Sequence, residues 1–268
     1  MIFLNAIITR NFYINTRIYP FTFMIGRLIG SLGAVFFPLI IYKYIFSENL
    51  SNDFIAVTGT SDYFIYIITG VSIYTFGVAT LMNTGRAFIT EIREGTIDVF
   101  IMSSTPRILY FIGCMIEQIW RSFIEFIIII IIGLIFSLNF QSFITIDMFF
   151  MFILLLFSFF SMSIFISTIM IKTRDTYITQ NTIFHVILLI CGITFPIEFL
   201  PEILQKISQL IPITHCIEIF RNLIINSIPL IQQMDSILKL IILSSIYIVV
   251  GYVWYLRVEK KIIEELFT

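Results

Sequence analysis

The chain has 268 residues, of which 59% are hydrophobic and 12% are charged, and its mean hydropathy is +1.01. This amount of apolar surface exceeds what one soluble core can bury, so the lipid bilayer is expected to be the solvent. The 16 basic and 17 acidic side chains nearly balance, which argues against a nucleic-acid partner. Cys114, Cys191 and Cys216 are odd in number and lack ligand spacing, so neither a disulfide nor a metal site is expected.

The first twenty residues are expected to form a helix that lies in the membrane interface. Apolar side chains such as Ile2, Phe3 and Ile7 share one helical face, and Arg10 and Arg17 lie elsewhere. No small-residue cleavage pattern follows them, which argues against a cleaved signal peptide. A disordered tail is the alternative for residues 1–20.

Six apolar windows are each long enough to cross a hydrocarbon core, which takes about 20 residues per helix. These windows are 21–46, 63–84, 108–137, 147–171, 177–197 and 236–256. Ten basic residues lie in the connections on one side of these windows, against two or three on the other side. By the positive-inside rule, both termini are cytoplasmic. The sequence therefore predicts an all-α polytopic protein of the plasma membrane that forms a single domain over residues 1–268.

A charged segment, residues 85–105, interrupts the apolar pattern after the second window, and we term it the docking segment. A short helix is expected from Thr84 or Gly85 to Arg93, with a turn at Gly95. Its mixture of apolar and charged side chains suits a surface that docks on a partner protein; a helix resting on lipid headgroups is the alternative. The candidate contact residues are Arg86, Glu91, Ile92, Arg93, Glu94, Gly95, Thr96, Ile97, Asp98 and Phe100.

The third window belongs to a longer helix that extends over residues 106–138 without a strong helix breaker. At 1.5 Å per residue it would measure roughly 50 Å, against about 30 Å for the hydrocarbon core. Glu117, Arg121 and Glu125 share one face of this helix, where each carboxylate can pair with the guanidinium. An ionisable group at membrane depth suits a hinge, a gate lining or a contact between subunits. A static salt bridge is the equally open alternative.

Residues 198–235 contain two apolar helices that are too short to span, and they are expected to form an extracytoplasmic re-entrant element that we term the proline-rich hairpin. Pro201 suits the first turn of one helix, Thr214 could cap the other, and Glu218 and Arg221 have the spacing of an ion pair. Two interfacial helices on the outer surface are the alternative. The candidate residues here are Pro196, Pro201, Pro212, Thr214, Glu218 and Arg221.

The ordered set of these elements resembles the ABC-2 type permeases, the membrane subunits of ATP-binding-cassette exporters. The matching positions are Glu91, Glu94, Gly95, Thr96, Asp98, Pro196, Leu200, Pro201, Pro212, Thr214 and Arg221. Ile97 and Asp98 stand where the family more often has Leu and Glu, which keeps the apolar and acidic character.

The resemblance implies that residues 86–104 sit in a groove of a nucleotide-binding ATPase subunit, beside the N-terminal helix. It also implies that two six-span permease chains pair, as a homodimer or a heterodimer, and that the proline-rich hairpin lies near the exit. Arg93 and Glu94 are expected to make charged contacts, and Ile92, Ile97 and Phe100 apolar ones. No Gly-Lys dipeptide of a phosphate-binding loop occurs, so ATP and Mg are expected on the partner, with no cofactor in this chain.

Two other classes of protein fit the sequence less well than an exporter subunit does. A membrane-embedded lipid-modifying enzyme would need a cluster of acids, histidines or metal ligands, and the one acidic triad is neutralised by its own Arg121. A channel or a structural subunit of another complex would not explain the docking segment. The sequence leaves open whether the exported substrate is a lipid, a glycan, a peptide or a drug-like molecule.

Overall fold

The computed structural model describes residues 2–18, 21–44, 52–96, 106–136, 145–173 and 182–266. Within these ranges the chain forms ten α-helices and no β-strand, which confirms the all-α polytopic membrane fold. The helices are α1 Ile2–Ile18, α2 Phe21–Tyr44, α3 Asn52–Thr58, α4 Tyr63–Arg93, α5 Arg107–Phe136, α6 Ile146–Thr173, α7 Phe184–Ile190, α8 Glu202–Gln209, α9 Pro212–Ile224 and α10 Met234–Leu266. Two 3₁₀ turns, Ile197–Phe199 and Leu230–Gln233, precede α8 and α10.

Three of the described helices are long and apolar enough to cross a membrane: Arg107–Ile135, Ile146–Thr173 and Leu230–Lys261. Two shorter apolar helices, Leu32–Tyr44 and Tyr63–Val78, fall in the first and second windows of the sequence. Part of the fifth window lies outside the described residues, and α7 is its described portion. The division into six spans therefore stays a prediction.

Helix α4 lies at the centre of the bundle, where it packs against both α5 and α6. Helix α10 packs on α6, α2 contacts α4, and α1 lies along α5. Close approach of α4 and α6 depends on Gly77, because a Cβ there would lie 2.5 Å from the ring of Phe159. Phe76 joins the same contact, with its ring centroid 5.8 Å from those of Phe126 and Phe159. Small residues and interlocking aromatic rings of this kind hold membrane helices together by van der Waals packing.

Helix α4 continues without a break into the docking segment, so the separate short helix expected from Thr84 or Gly85 is wrong. No proline occurs between Tyr63 and Arg93, and the hydroxyl groups of Thr80 and Thr84 donate to carbonyl oxygens one turn back at 2.7 Å. These hydroxyl groups form their hydrogen bonds within the helix and do not interrupt it. The 31 residues of α4 extend over roughly 46 Å.

Helix α5 has 30 residues, Arg107–Phe136, and measures roughly 45 Å, in keeping with the long third helix that the sequence predicts. The proline-rich hairpin contains α8 and α9, and each helix has a proline at or directly before its first residue. Pro201 is the residue directly before α8, and Pro212 is the first residue of α9. A proline fits both positions because a first-turn N–H has no partner within its own helix.

Candidate functional site

Helix α4 ends in a tight turn that fixes the first part of the docking segment. Gly95 has φ +68°, and the Thr96 N–H donates to the carbonyl oxygen of Glu91 at 3.0 Å. This bond from the third residue after the helix to its last turn belongs to a Schellman-type end, in which the left-handed residue favours glycine. The turn expected at Gly95 is confirmed, and it folds Thr96 back over the end of α4.

The Glu91 carboxylate binds side chains from three other places in the chain. Arg10 of α1 donates twice, Nη1 to Oε1 at 2.5 Å and Nη2 to Oε2 at 2.8 Å. The Thr96 hydroxyl donates to Oε2, and the Tyr110 hydroxyl of α5 donates to Oε1 at 3.1 Å. We term Glu91, Arg10, Thr96 and Tyr110 the Glu91 junction. It ties α1, α5 and the turn to the end of α4.

Electrostatics keep the Glu91 junction ionised near neutral pH. Burial alone would raise the pKa of Glu91, which is 4% exposed, but the hydrogen bonds from Arg10, Thr96 and Tyr110 outweigh burial and lower that pKa. The hydrogen bond to Glu91 raises the pKa of Arg10. A bidentate arginine–carboxylate pair is stronger and more directional than a neutral hydrogen bond, so the junction fixes the angle as well as the position of α1.

Packing beside the junction holds α1 along α5. A Cβ on Gly113 would lie 2.6 Å from Cγ2 of Ile7, so the glycine is what lets the two helices approach this closely. One turn further along α1, the Asn11 side-chain amide donates to the Cys114 sulfur at 3.1 Å. The helix expected at the N-terminus is confirmed over Ile2–Ile18, and its position in the membrane interface stays a prediction.

A second ion pair joins α5 to the last helix. The Arg107 Nε donates to Oε1 of Glu259 at 2.6 Å, and both side chains are largely buried. Close by, the rings of Phe111 and Tyr255 meet edge to face with centroids 5.0 Å apart. The start of α5 is thereby attached to the final turns of α10.

The docking-segment residues predicted from sequence fall into three groups. Glu94 and Gly95 are exposed and Thr96 is half-buried, whereas Glu91 is buried inside this chain. The backbone of Arg86, Ile92 and Arg93 lies in α4, and their side chains are outside the described part of the chain. The remaining predicted contact residues, also outside it, are Ile97, Asp98 and Phe100.

The acidic positions predicted on the long helix are buried. Glu117 and Glu125 are each 4% exposed on α5, and the Gln118 amide donates to a carboxylate oxygen of Glu117. The side chain of Arg121 lies outside the described residues, so the pairing of the triad stays a prediction. The spacing does place both carboxylates on the same inward face of α5.

The two helices of the proline-rich hairpin have different surroundings. Helix α9 is buried over most of its length, and the re-entrant position of the proline-rich hairpin in the membrane stays a prediction. The apolar stripe of α8 faces outward, with Ile203 73% and Leu210 61% exposed. Thr214 does not cap α9, because that helix already begins at Pro212; its hydroxyl lies 3.2 Å from the Ser208 hydroxyl.

Arg221 of α9 forms no ion pair with Glu218, contrary to the spacing argument. Its guanidinium donates to the carbonyl oxygens of Gly192, of Ile193 at 2.7 Å and of Tyr66 at 3.1 Å. The guanidinium carbon also lies 3.5 Å from the centroid of the Tyr66 ring. Glu218 is exposed, and its Oε2 lies 3.8 Å from Nδ1 of His215.

Arg221 reaches the carbonyl groups of Gly192 and Ile193 because the chain is irregular after α7 and leaves them outside a helix, whereas the Tyr66 carbonyl lies within α4. Gly192 has φ +73°, a left-handed conformation that favours glycine. A Cβ on Gly70 would lie 2.4 Å from Nη2 of Arg221 and 2.5 Å from the carbonyl oxygen of Ile193. Gly70 therefore makes room for the guanidinium between α4 and the irregular segment.

Most of these elements lie within the part of the chain that one protein-family model matches. The family model described as ABC-2 type transporter matches residues 3–225, which include α1, the Glu91 junction and Arg221. The chain belongs to the ABC-2 type transporters. It is a multi-pass permease subunit of an ABC transporter, a class that works with an ABC ATPase subunit. A search of curated proteins found no match.

Three features of this permease were not predicted from its sequence. The Arg10–Glu91 pair joins residues 81 positions apart, and the Arg107–Glu259 pair joins residues 152 positions apart, so neither has a local spacing signal. The acceptors of Arg221 are backbone carbonyl groups, which every residue carries.

Among the residues that the structure describes, no group of His, Cys, Asp and Glu could hold a metal ion.

Proposed function

We propose that this permease exports its substrate from the cell by using ATP that a separate nucleotide-binding subunit hydrolyses. ATP and Mg would bind to that partner and not to this chain. The docking segment would be the surface on which the partner acts, facing the cytoplasm together with both termini. The observation that carries this proposal is the Glu91 junction, which attaches the start of the docking segment to three helices at once.

Force applied at the turn would enter the bundle by two routes. Helix α4 is continuous from the turn to Tyr63, so the turn cannot move far without moving α4. Glu91 passes the same displacement to α1 through Arg10 and to α5 through Tyr110. A partner changes a conformational equilibrium only through contacts that differ between states, and rigid attachment is what makes such contacts effective here.

Glu91 is buried, so we assign it to positioning the docking segment and not to touching the ATPase. Exposed Glu94, together with Arg93, would supply charged contacts, and Ile92, Ile97 and Phe100 would supply apolar ones. Two permease chains would pair in the plasma membrane. Membrane lipid would cover the apolar side chains that one chain leaves exposed, such as Ile29, Ile135 and Val249.

Charge reversal in the docking segment tests the proposal. The double variant Arg93→Glu and Glu94→Lys should keep the permease folded but break the link between ATP hydrolysis and transport. The measurement is ATP hydrolysis by the complex in lipid nanodiscs, together with the amount of ATPase that copurifies. Reversal of exposed Lys260, outside the docking segment, is the matched control. Unchanged copurification and coupling in the double variant would count against the assignment.

Orientation supplies an independent test. A single cysteine at Glu94 should resist a membrane-impermeant thiol reagent in intact cells and react after the cells are opened, because Glu94 is exposed on the chain itself. Reaction in intact cells would place the docking segment outside. A channel or a lipid-modifying enzyme would then become the better explanation.

A further inference from the structure

A cavity of about 780 Å³ lies beside α9, and we term it the hairpin cavity. Its walls come from α3, the irregular segment after α7, α8, α9 and α10. This volume is within the range of sites that hold small molecules or lipid headgroups, roughly 300–1,000 Å³. Apolar side chains such as Ile197, Ile217 and Ile242 form part of the wall.

The buried charge of the hairpin cavity is positive. Arg221 lines the cavity and is 9% exposed. Its acceptors are three neutral carbonyl oxygens, and within the described ranges no carboxylate lies at ion-pair distance from it. Its Nε is buried without a hydrogen-bond partner. Glu198, which also lines the cavity, attracts Arg221 electrostatically but forms no hydrogen bond with it, so the buried guanidinium still favours an anion that enters.

Charges at the rim of the hairpin cavity nearly cancel. Lys206 and Lys239 line it together with Glu198 and Glu218, and all four side chains are exposed. Exposed charges are screened by water and salt, whereas a buried charge is screened much less. The buried Arg221 therefore contributes most to the electric field inside the cavity, Glu198 offsets part of it, and the two lysines can turn towards an anion that enters.

We propose that the hairpin cavity binds the phosphate group of an amphipathic ligand. Arg221 supplies the buried positive charge, Lys206 and Lys239 supply charge at the rim, and the apolar wall holds the lipophilic part. The inference rests on the proposed function only for the side of the membrane on which the cavity opens. A lipid headgroup and a soluble phosphate compound present the same chemistry, and the experiment distinguishes them.

Labelling of lysines measures binding without ATP or transport. The complex is purified in dodecyl maltoside, which contains no phosphate, and modified with an amine reagent, with site occupancy read by mass spectrometry. Mixed micelles with phosphatidylglycerol should slow labelling of Lys206 and Lys239 at least threefold. Labelling of Lys43, an exposed lysine that does not line the cavity, should stay unchanged.

The outcomes of the labelling experiment distinguish a lipid ligand from a soluble phosphate compound, or overturn the proposal. Protection by phosphatidylglycerol alone supports a lipid ligand, and protection by inorganic phosphate as well supports a site that needs the phosphate group only. No protection by either probe overturns the proposal. Equal protection of Lys43 also overturns it, because the effect would then come from the micelle surface.

Variants supply a second measurement. Native mass spectrometry should show that Lys206→Gln with Lys239→Gln weakens retention of phosphatidylglycerol by roughly fivefold per lysine, whereas Lys43→Gln does not. Arg221→Gln should reduce retention more than Arg221→Lys in complexes that still assemble. If the arginine variants fail to fold, the lysine variants decide alone, and full retention in the double lysine variant overturns the proposal.

Labelling of intact cells separates this proposal from the proposed function. An impermeant amine reagent should reach Lys206 and Lys239 from outside and should not reach Lys260. The opposite pattern would overturn the proposed orientation and export direction. Protection by phosphatidylglycerol in micelles would be unaffected by that result, so the two proposals can fail separately.

Discussion

The Glu91 junction and the Arg221 site both bury one charged side chain where several chain segments meet, and they differ in what surrounds the charge. Glu91 meets the full opposite charge of Arg10, whereas Arg221 meets carbonyl dipoles and an aromatic ring. The first arrangement is electrostatically complete within the chain. The second holds the backbone in place and still presents a net charge to a cavity. The Glu91 junction thus attaches helices to one another, whereas the Arg221 site keeps a buried positive charge beside the hairpin cavity.

The largest expected effect comes from breaking the ion pair at the Glu91 junction. Arg10→Ala leaves a buried carboxylate without its counter-ion and should lower the free energy of unfolding by about 2–3 kcal/mol. Thermal unfolding of the purified complex, followed by size-exclusion chromatography, measures the loss. Arg10→Lys keeps the charge but not the bidentate geometry and should recover part of the stability. Equal stability of all three proteins would contradict the assignment.

The Arg221 site can be broken without touching the arginine. Gly70→Ala places a Cβ against Nη2 of Arg221 and against a backbone oxygen that cannot rotate away, so a loss of about 1–3 kcal/mol is expected. The same substitution at Gly26 in α2 is the control, because nothing described lies within 4 Å of a Cβ there. The comparison uses thermal unfolding midpoints. Matching midpoints for the two variants would show that the guanidinium is not held as described.

A smaller effect is expected from the packing that supports the Glu91 junction. Gly113→Ala pushes against Ile7 and should loosen α1 while leaving the ion pair able to re-form, at a cost of about 1 kcal/mol. Limited proteolysis near residue 18 should become severalfold faster. Gly30→Ala, at another glycine of the N-terminal region with open space around it, should leave the cleavage rate unchanged.

The smallest expected effect concerns pH. The pKa of Glu91 is lower in the folded chain than the ordinary value of 4.5, so its stabilising contribution is complete above that value and is lost as the pH falls through the folded pKa. The difference in thermal unfolding midpoint between the natural chain and Arg10→Ala, which isolates this contribution, should therefore be constant from pH 8 to pH 6. A marked fall within that interval would show that Glu91 is not held as a carboxylate by Arg10.

Hydropathy and local spacing predicted the helical fold because long apolar runs and glycine turns are encoded next to the residues they affect. Gly95 ends α4, and Pro212 starts α9, by local backbone chemistry that a sequence displays directly. The inward direction of Glu91 could not be predicted in this way. A glutamate in a charged segment has the pattern of a surface residue, and only the fold brings Arg10 to it.

The error at Arg221 has a different physical origin. An acid three residues earlier on a helix is a common partner, yet Arg221 donates to carbonyl groups of α4 and of the irregular segment after α7, and Glu218 stays exposed. Which carbonyl groups lie within its reach depends on where α7 ends and how Gly70 lets that segment approach α4. That information is tertiary and has no counterpart in residue spacing.

The unbroken course of α4 means that Tyr66 and Glu91 are carried on one rod, with roughly 38 Å of helix between them. The rod is held near its middle where Gly77 meets Phe159. Rotation of about 10° around that contact would shift each end by roughly 3 Å, in opposite directions. In the proposed function, this single uninterrupted helix would connect the docking segment to the irregular backbone beside Arg221.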